Sequence, residues 1–172
     1  MTVIVQTRTA GLPRVLASGV GTQTLTNSVS TDQDFTSIYT FAANEIQADS
    51  VFRVSFMVEN VMGTSTVTWG FYLKIGATKM YTVSAVNPAN GQTNSLVFSQ
   101  LIFGRAAPSA SSAVSAAPID SSTVDGGRNN FTDQPVNLAT NGTLTINWGV
   151  VWSATGSTET MELQGWVLEK LK

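Results

Sequence analysis

Three stretches of the chain alternate between apolar and polar residues. In Val51–Glu59, Phe52, Val54, Phe56 and Val58 alternate with Arg53, Ser55, Met57 and Glu59. Thr66–Ile75 sets Val67, Trp69, Phe71, Leu73 and Ile75 against Thr68, Gly70, Tyr72 and Lys74. In Leu144–Trp152, Leu144, Ile146, Trp148, Val150 and Trp152 share one face, and Thr145, Asn147 and Gly149 share the other. Val151 is the one apolar residue on that second face. A period of two is the signature of a strand with one face on a core. A helical stripe at i, i+3, i+4, i+7 is sustained nowhere.

Weaker strands are expected at Thr22–Val29, Thr36–Phe41, Met80–Ser84, Leu96–Phe103, Val136–Ala139 and Thr160–Leu168. Met62-Gly63, Gly76-Ala77, Asn90-Gly91 and Asn141-Gly142 supply turns, and the two Asn-Gly pairs accept positive φ. Asn141-Gly142, directly before a strong strand, is the best hairpin signal in the chain. Nine or ten short strands with frequent turns predict an all-β, antiparallel sandwich or barrel. With no helical crossover between strands, a parallel βαβ sheet is disfavoured.

Two segments interrupt this pattern. Arg105–Pro118 is rich in Ala and Ser and uncharged after its first residue, so it reads as a loop able to lie against another surface. Asp125–Gln134 is a polar turn cluster. The first residues also stand apart: Met1–Thr9 looks extended and Leu12-Pro13 marks a bend. The division this suggests is an N-terminal arm over residues 1–20 and a β-sandwich over 21–172. A first strand of the sandwich itself is the equal alternative for the arm.

Composition changes the picture by subtraction. Charged residues are 12% of the chain, against ~25% in an ordinary domain. Lys and Arg number 9, Asp and Glu 11, for a net charge of −2. A binder that neutralises nucleic-acid phosphates wants a basic face, and a membrane-surface protein a polybasic one. Neither is expected here. No apolar run approaches the ~20 residues that span a bilayer. Met1-Thr-Val-Ile-Val-Gln6 lacks the basic and apolar regions of a secretion signal, so the sequons Asn130-Phe-Thr132 and Asn141-Gly-Thr143 carry no weight. Polarity comes instead from 23 Thr and 18 Ser. Thr fits a pleated, half-buried surface.

Reactive groups are scarce. There is no Cys and no His, which removes thiolate chemistry, disulfides and every arrangement built on imidazole. The carboxylates are scattered. Asp32 and Asp34 sit in a Ser/Thr-rich turn and read as solvated, and Glu159 and Glu162 flank a strand at opposite parity. A glycosidase pair drawn from distant strands stays open in principle. Asp120, Asp125, Asn129, Asn130 and Asp133 could supply oxygen ligands to a hard cation, but their spacing does not fit a calcium loop. Asp125-Gly-Gly-Arg128 lacks the following helix that a phosphate loop needs. The expectation is a protein that is not an enzyme and has no cofactor and no metal.

The tryptophans are the remaining candidates. Trp69, Trp148 and Trp152 fall on core faces. In Met161–Leu168, Trp166 shares parity with Glu162 and Gln164, which predicts an exposed interface anchor or sugar-stacking platform. Burial under a loop is the alternative.

The order of features resembles tailed-phage virion proteins. Thr36-Ser-Ile-Tyr-Thr-Phe-Ala-Ala-Asn-Glu-Ile-Gln-Ala-Asp-Ser-Val-Phe-Arg-Val54 is similar to their strand, aliphatic-Pro/Ala-Ala-Asn-x-Leu turn and alternating strand. Leu73-Lys-Ile-Gly-Ala-Thr78 is similar to their Leu-Lys-Leu-Gly-Gly-Thr turn. Asn141-Gly-Thr-Leu-Thr-Ile-Asn-Trp-Gly-Val-Val-Trp-Ser-Ala-Thr155, followed by Thr160-Met-Glu-Leu-Gln-Gly-Trp-Val-Leu-Glu169, resembles their two closing strands. Ala42 stands where the first turn usually has Pro, and Ala77 where the second has Gly. The resemblance covers about Thr22–Leu171. It implies a jelly-roll-like sandwich on a virion, of the capsid decoration (cement) type, often a homotrimer. The major capsid protein and copies of itself are the implied partners, with assembly in the host cytoplasm.

Adhesion suits such a surface, because neutral hydroxyls and amides give up water at less cost than charges. The expected contacts are the arm residues Thr2, Val3, Ile4 and Val5, the loop residues Ala106, Ala107, Pro108, Val114 and Pro118, and Trp166. The arm is suited to adding a strand to a partner's sheet. The rival function is a carbohydrate-binding or receptor-binding module of a tail or fibre.

Overall fold

A computed structural model describes residues 13–27, 32–36, 38–61, 67–82, 93–118, 136–153 and 158–172. Every regular element among them is a strand: β1 (Arg14–Thr26), β2 (Gln33–Asp34), β3 (Tyr39–Phe41), β4 (Val51–Val61), β5 (Trp69–Ile75), β6 (Thr78–Thr82), β7 (Thr93–Gly104), β8 (Ser112–Pro118), β9 (Val136–Leu138), β10 (Leu144–Trp152) and β11 (Thr160–Lys170). The strong alternations became β4, β5 and β10, with β10 at the expected bounds.

The strands form two antiparallel sheets. One has the order β1-β11-β4-β7-β8-β9. The other has the order β2-β10-β5-β6, with β3 pairing β10 on the same side as β2. Taking β2 and β3 as one broken edge and setting aside the added β8 and β9, eight strands remain. In chain order they lie 1-8-3-6 in one sheet and 2-7-4-5 in the other. This is the winding of a jelly-roll sandwich, two interleaved Greek keys.

The core is the inward alternation of both sheets. Phe56 on β4 lies at its centre, its ring centroid 5.0 Å from Phe98 of β7 and 3.6 Å from Trp148 of β10. Phe71 meets Phe56 edge-on at 5.7 Å, and Trp69 meets Phe71 at 4.9 Å. Edge-to-face and offset ring pairs are worth about 0.5–1.5 kcal/mol each beyond their burial. Trp69, Trp148 and Trp152 are all core residues, as their parity requires.

Several turns explain themselves locally. Phe41-Ala-Ala-Asn-Glu-Ile46 closes because the Glu45 carboxylate accepts the Ala42 amide at 2.8 Å, and Asn44 takes φ +62°, which Asn tolerates. Gly76-Ala77 is the tight two-residue hairpin, between Ile75 and its partner Thr78. Gly76 there has φ +59°, as the first central residue of a type II′ turn does. Asn141-Gly142 differs from the hairpin expectation. It joins β9 of one sheet to β10 of the other, and Gly142 donates to the Ala139 carbonyl at 3.2 Å. A turn signal specifies a reversal, but only the sheets specify which strands then pair.

Two expectations about organisation change. β1 is paired with β11 from Arg14 onward, so residues 14–20 belong to the sandwich. Arm residues 1–12 lie outside the described residues. The Ala/Ser-rich segment is a short turn followed by a strand, since Ser112–Pro118 is β8. Its small side chains suit burial: Ala116 and Val114 join the core.

Candidate functional site

The outward residues of the six-stranded sheet form transverse rows, because residues paired across strands point to the same face. One row is Val20, Gly165, Met57 and Val97, crossing β1, β11, β4 and β7 in register. The next toward the C-terminal end of β11 is Ser18, Val167, Ser55 and Ser99, where the Ser55 and Ser99 hydroxyls bond at 2.6 Å. Beyond it lie Val15, Glu169, Arg53 and Leu101, with Arg53 in an ion pair to Glu169 at 2.6 Å. On the other side of the first row stand Thr24, Glu162, Glu59 and Ser95.

Exposure singles out this face. Among the described residues, the exposed large hydrophobics are Val20 at 96%, Val97 at 58%, Val15 at 55% and Met57 at 45%. All four lie here, and three share one row. A β-bulge between Leu163 and Gly165 builds that row, because it shifts the parity of β11 in mid-strand. Glu162 and Gly165 face outward on either side of it, while Trp166 pairs with Phe56 and packs on the core.

This corrects the exposed-platform reading of Trp166. Its indole covers Gly19 of β1, where any Cβ would collide with the ring. The bulge has no signature in a simple alternation count. Gly165 was the available signal, since glycine inside a strand marks bulges and close approaches.

The face also holds a like-charged pair. Glu59 and Glu162 are direct cross-strand partners. Glu162 accepts a bond from Gln164 at 3.1 Å. Like charges directly opposite each other are destabilising, so the pair has no reason in the sheet itself.

The opposite face, on the second sheet, is built differently. Tyr72 is fully buried, with its ring lying over Gly149, where a Cβ would enter the ring. Its hydroxyl donates to Asp34 Oδ1 at 2.7 Å, and Lys74 Nζ reaches Asp34 Oδ2 at 2.6 Å. Lys79 Nζ sits 4.4 Å from the Tyr72 ring centroid and pairs with Asp32 at 2.7 Å. Asp32 and Asp34 are exposed, as the solvated reading expects, and each also has a lysine partner. Partial burial pulls the Asp34 carboxyl up, but bonds from Lys74 and Tyr72 and the Lys74 charge outweigh it and hold it below its ordinary value. Burial, together with the bond to Asp34, pushes the Tyr72 hydroxyl far above the usual tyrosine range.

Other expected site residues scatter. Glu159 is buried, accepting from Asn27 Nδ2 at 3.1 Å, and does not meet Glu162 in a cleft. Ala107 is exposed, and Ala106 and Pro108 are half-buried, in the turn before β8. Val114 is fully buried inside the sandwich and is not available to a partner. The backbone of Pro118 ends β8, paired with Gln100. Thr2, Val3, Ile4 and Val5 lie outside the described residues, as do Asp120, Asp125, Asn129, Asn130 and Asp133. Among the described residues no three acidic side chains cluster as metal ligands would.

No family model matches the chain, and no curated protein matches it. Solved structures of infectious bursal disease virus are similar to it. The strain Gt structure shares 14% identity at a TM-score of 0.42, covering 92% of this chain and 33% of that one. The strain Gx structure shares 15% at 0.38, covering 92% and 32%. The T=1 particles derived from the virus share 15% at 0.37, covering 92% and 31%. The chain thus spans about a third of the length of these chains.

Proposed function

We propose that this chain is a structural protein of a virus particle, a capsid decoration (cement) protein that acts by adhesion. Each copy would bridge neighbouring capsid subunits, and its binding free energy would add to particle stability by mass action. One observation carries the reading: all the large apolar side chains exposed among the described residues lie on one outer sheet face. Contiguous exposed apolar surface marks interaction sites. Jelly-roll winding, which recurs in viral capsid domains, supports it. The lectin-like alternative loses its main candidate, because Trp166 is turned toward the core.

In this reading the major capsid protein and further copies of the chain are the partners, with no nucleic acid, membrane or cofactor involved. Thr2–Val5 and Ala106–Pro108 are the segments that reach the capsid. The test is co-sedimentation of the purified chain with particles that lack it. The full chain should pellet with particles and raise their melting temperature. Deleting Met1–Gln6 should weaken pelleting while leaving the circular dichroism spectrum unchanged. A chain that leaves particles bare under all conditions overturns the proposal.

A further inference from the structure

Resting on the reading that the chain works by adhesion, we infer that the outer face of the six-stranded sheet is covered by the same face of a second copy. The two copies are related by a two-fold axis lying along the Val20–Gly165–Met57–Val97 row.

Area is the first argument. Four strands about 4.8 Å apart and roughly ten residues long present a face of about 19 Å by 34 Å. That is ~650 Å² per copy and ~1,300 Å² for a pair, within the ~1,200–2,000 Å² of stable interfaces.

Shape is the second. The row places its glycine beside Met57, so with each residue laid on its own copy the two Gly165 positions form one hollow, into which the flexible Met57 side chains can bend. A Cβ at Gly165 would meet nothing closer than the Gly19 carbonyl oxygen, at 3.4 Å, so the fold itself does not demand the hollow. Methionine is the residue that fills irregular gaps at contact surfaces.

Charge selects the axis. A two-fold parallel to the strands and passing between β11 and β4 lays the Glu59–Glu162 pair on its own copy, which gathers four carboxylates. A two-fold along the Met57 row instead lays each Glu59 over Ser55 and each Glu162 over Val167 of the other copy, which keeps the four carboxylates apart and leaves Glu162 its bond from Gln164. Ser55 is bonded to Ser99, and that hydroxyl pair keeps a donor hydrogen for a carboxylate. The apolar side chains of the row then stack on one another. Stacked sheets cross by about 30°, so the sheets come closest in the middle of the face, where Met57 lies.

The experiment uses the full chain, first by light scattering over a concentration series. A dimer is expected. Met57→Lys should raise its dissociation constant by at least about tenfold, because it buries an unpaired charge. Thr40→Lys, exposed on the other sheet, should leave the dimer intact.

The chain contains no cysteine, so single cysteines then test the axis. Sheets ~10 Å apart exceed the ~7 Å Cα reach of a disulfide, so a short bis-maleimide is the probe. Met57→Cys should cross-link to its own copy. Glu59→Cys, about 17 Å from its own copy in this arrangement, should not, but it should cross-link to Ser55→Cys in a mixture. A monomer, a dimer or trimer indifferent to Met57→Lys, or self-linking at position 59 instead of 57 overturns the inference. A monomer that still pellets with particles would overturn only this pairing and leave the virion role standing.

Discussion

The two outer faces of the sandwich use opposite means of meeting water. On the second sheet, Asp34, Tyr72, Lys74, Lys79 and Asp32 bond to one another across β2, β5 and β6. Those side chains tie the edge segment β2 to the middle of its sheet, so they belong to stability. On the six-stranded sheet, Val20, Met57 and Val97 are exposed to solvent. The neighbouring Glu59 and Glu162 oppose the sheet that carries them. One face is satisfied within the chain. The other has bonds of its own at Ser55–Ser99 and Arg53–Glu169, but leaves its apolar row to solvent unless something else covers it.

That contrast is open to direct attack. The largest effect is expected from Gly149→Val, which drives a side chain into the Tyr72 ring. Overpacking of this kind costs about 1–3 kcal/mol, or roughly 2–4 °C of melting temperature per kcal/mol at this size. Thermal melts measure it, and self-association should not change. An equal loss of association would mean that the two faces are coupled.

Tyr72→Phe comes next. It removes a hydroxyl bonded to a carboxylate, a bond worth about 1.5–3 kcal/mol when fully buried and less here, since Asp34 is partly exposed. The same site sets a pH dependence. Asp34 has a lowered pKa in the folded chain, so its contribution is complete above the ordinary value of 3.8 and is lost as pH falls below it. Tyr72 has a raised one, so its contribution is complete below pH 10.0 and is lost as pH rises beyond it. Asp34→Asn should flatten the acid limb of a stability–pH profile, and Tyr72→Phe the alkaline limb. Limbs unchanged by either variant would remove the network from the stability account.

The smallest effect on stability belongs to the other face. Met57→Ser and Val97→Ser should each shift unfolding by less than about 0.5 kcal/mol while weakening association. Denaturant midpoints taken at dilution, where the chain is monomeric, and light scattering at higher concentration separate the two quantities, since association itself stabilises the fold. Destabilisation by more than ~1 kcal/mol, as core truncations give, would show that these residues pack inside the chain after all.

Reading the chain by its period of two was enough for the all-β class, the bounds of β10, the inward faces of β4, β5 and β10, and the burial of Trp69, Trp148 and Trp152. Each of these follows from neighbours within one strand, because alternation is a local property of extended backbone. The tight Gly76-Ala77 hairpin was equally local. Trp166 was not, because a single bulge at Leu163/Gly165 turns every later side chain of β11 to the other face. Nor was the joining of Val20, Gly165, Met57 and Val97 into one row, since it depends on the registers of three strand pairs that tertiary packing sets. The same holds for Tyr72 over Gly149 and for the burial of Val114 in a segment that reads as a loop. The strand content was thus written in the order of residues. The exposed surface was decided by how distant strands line up, because it consists of side chains that share no sequence neighbourhood.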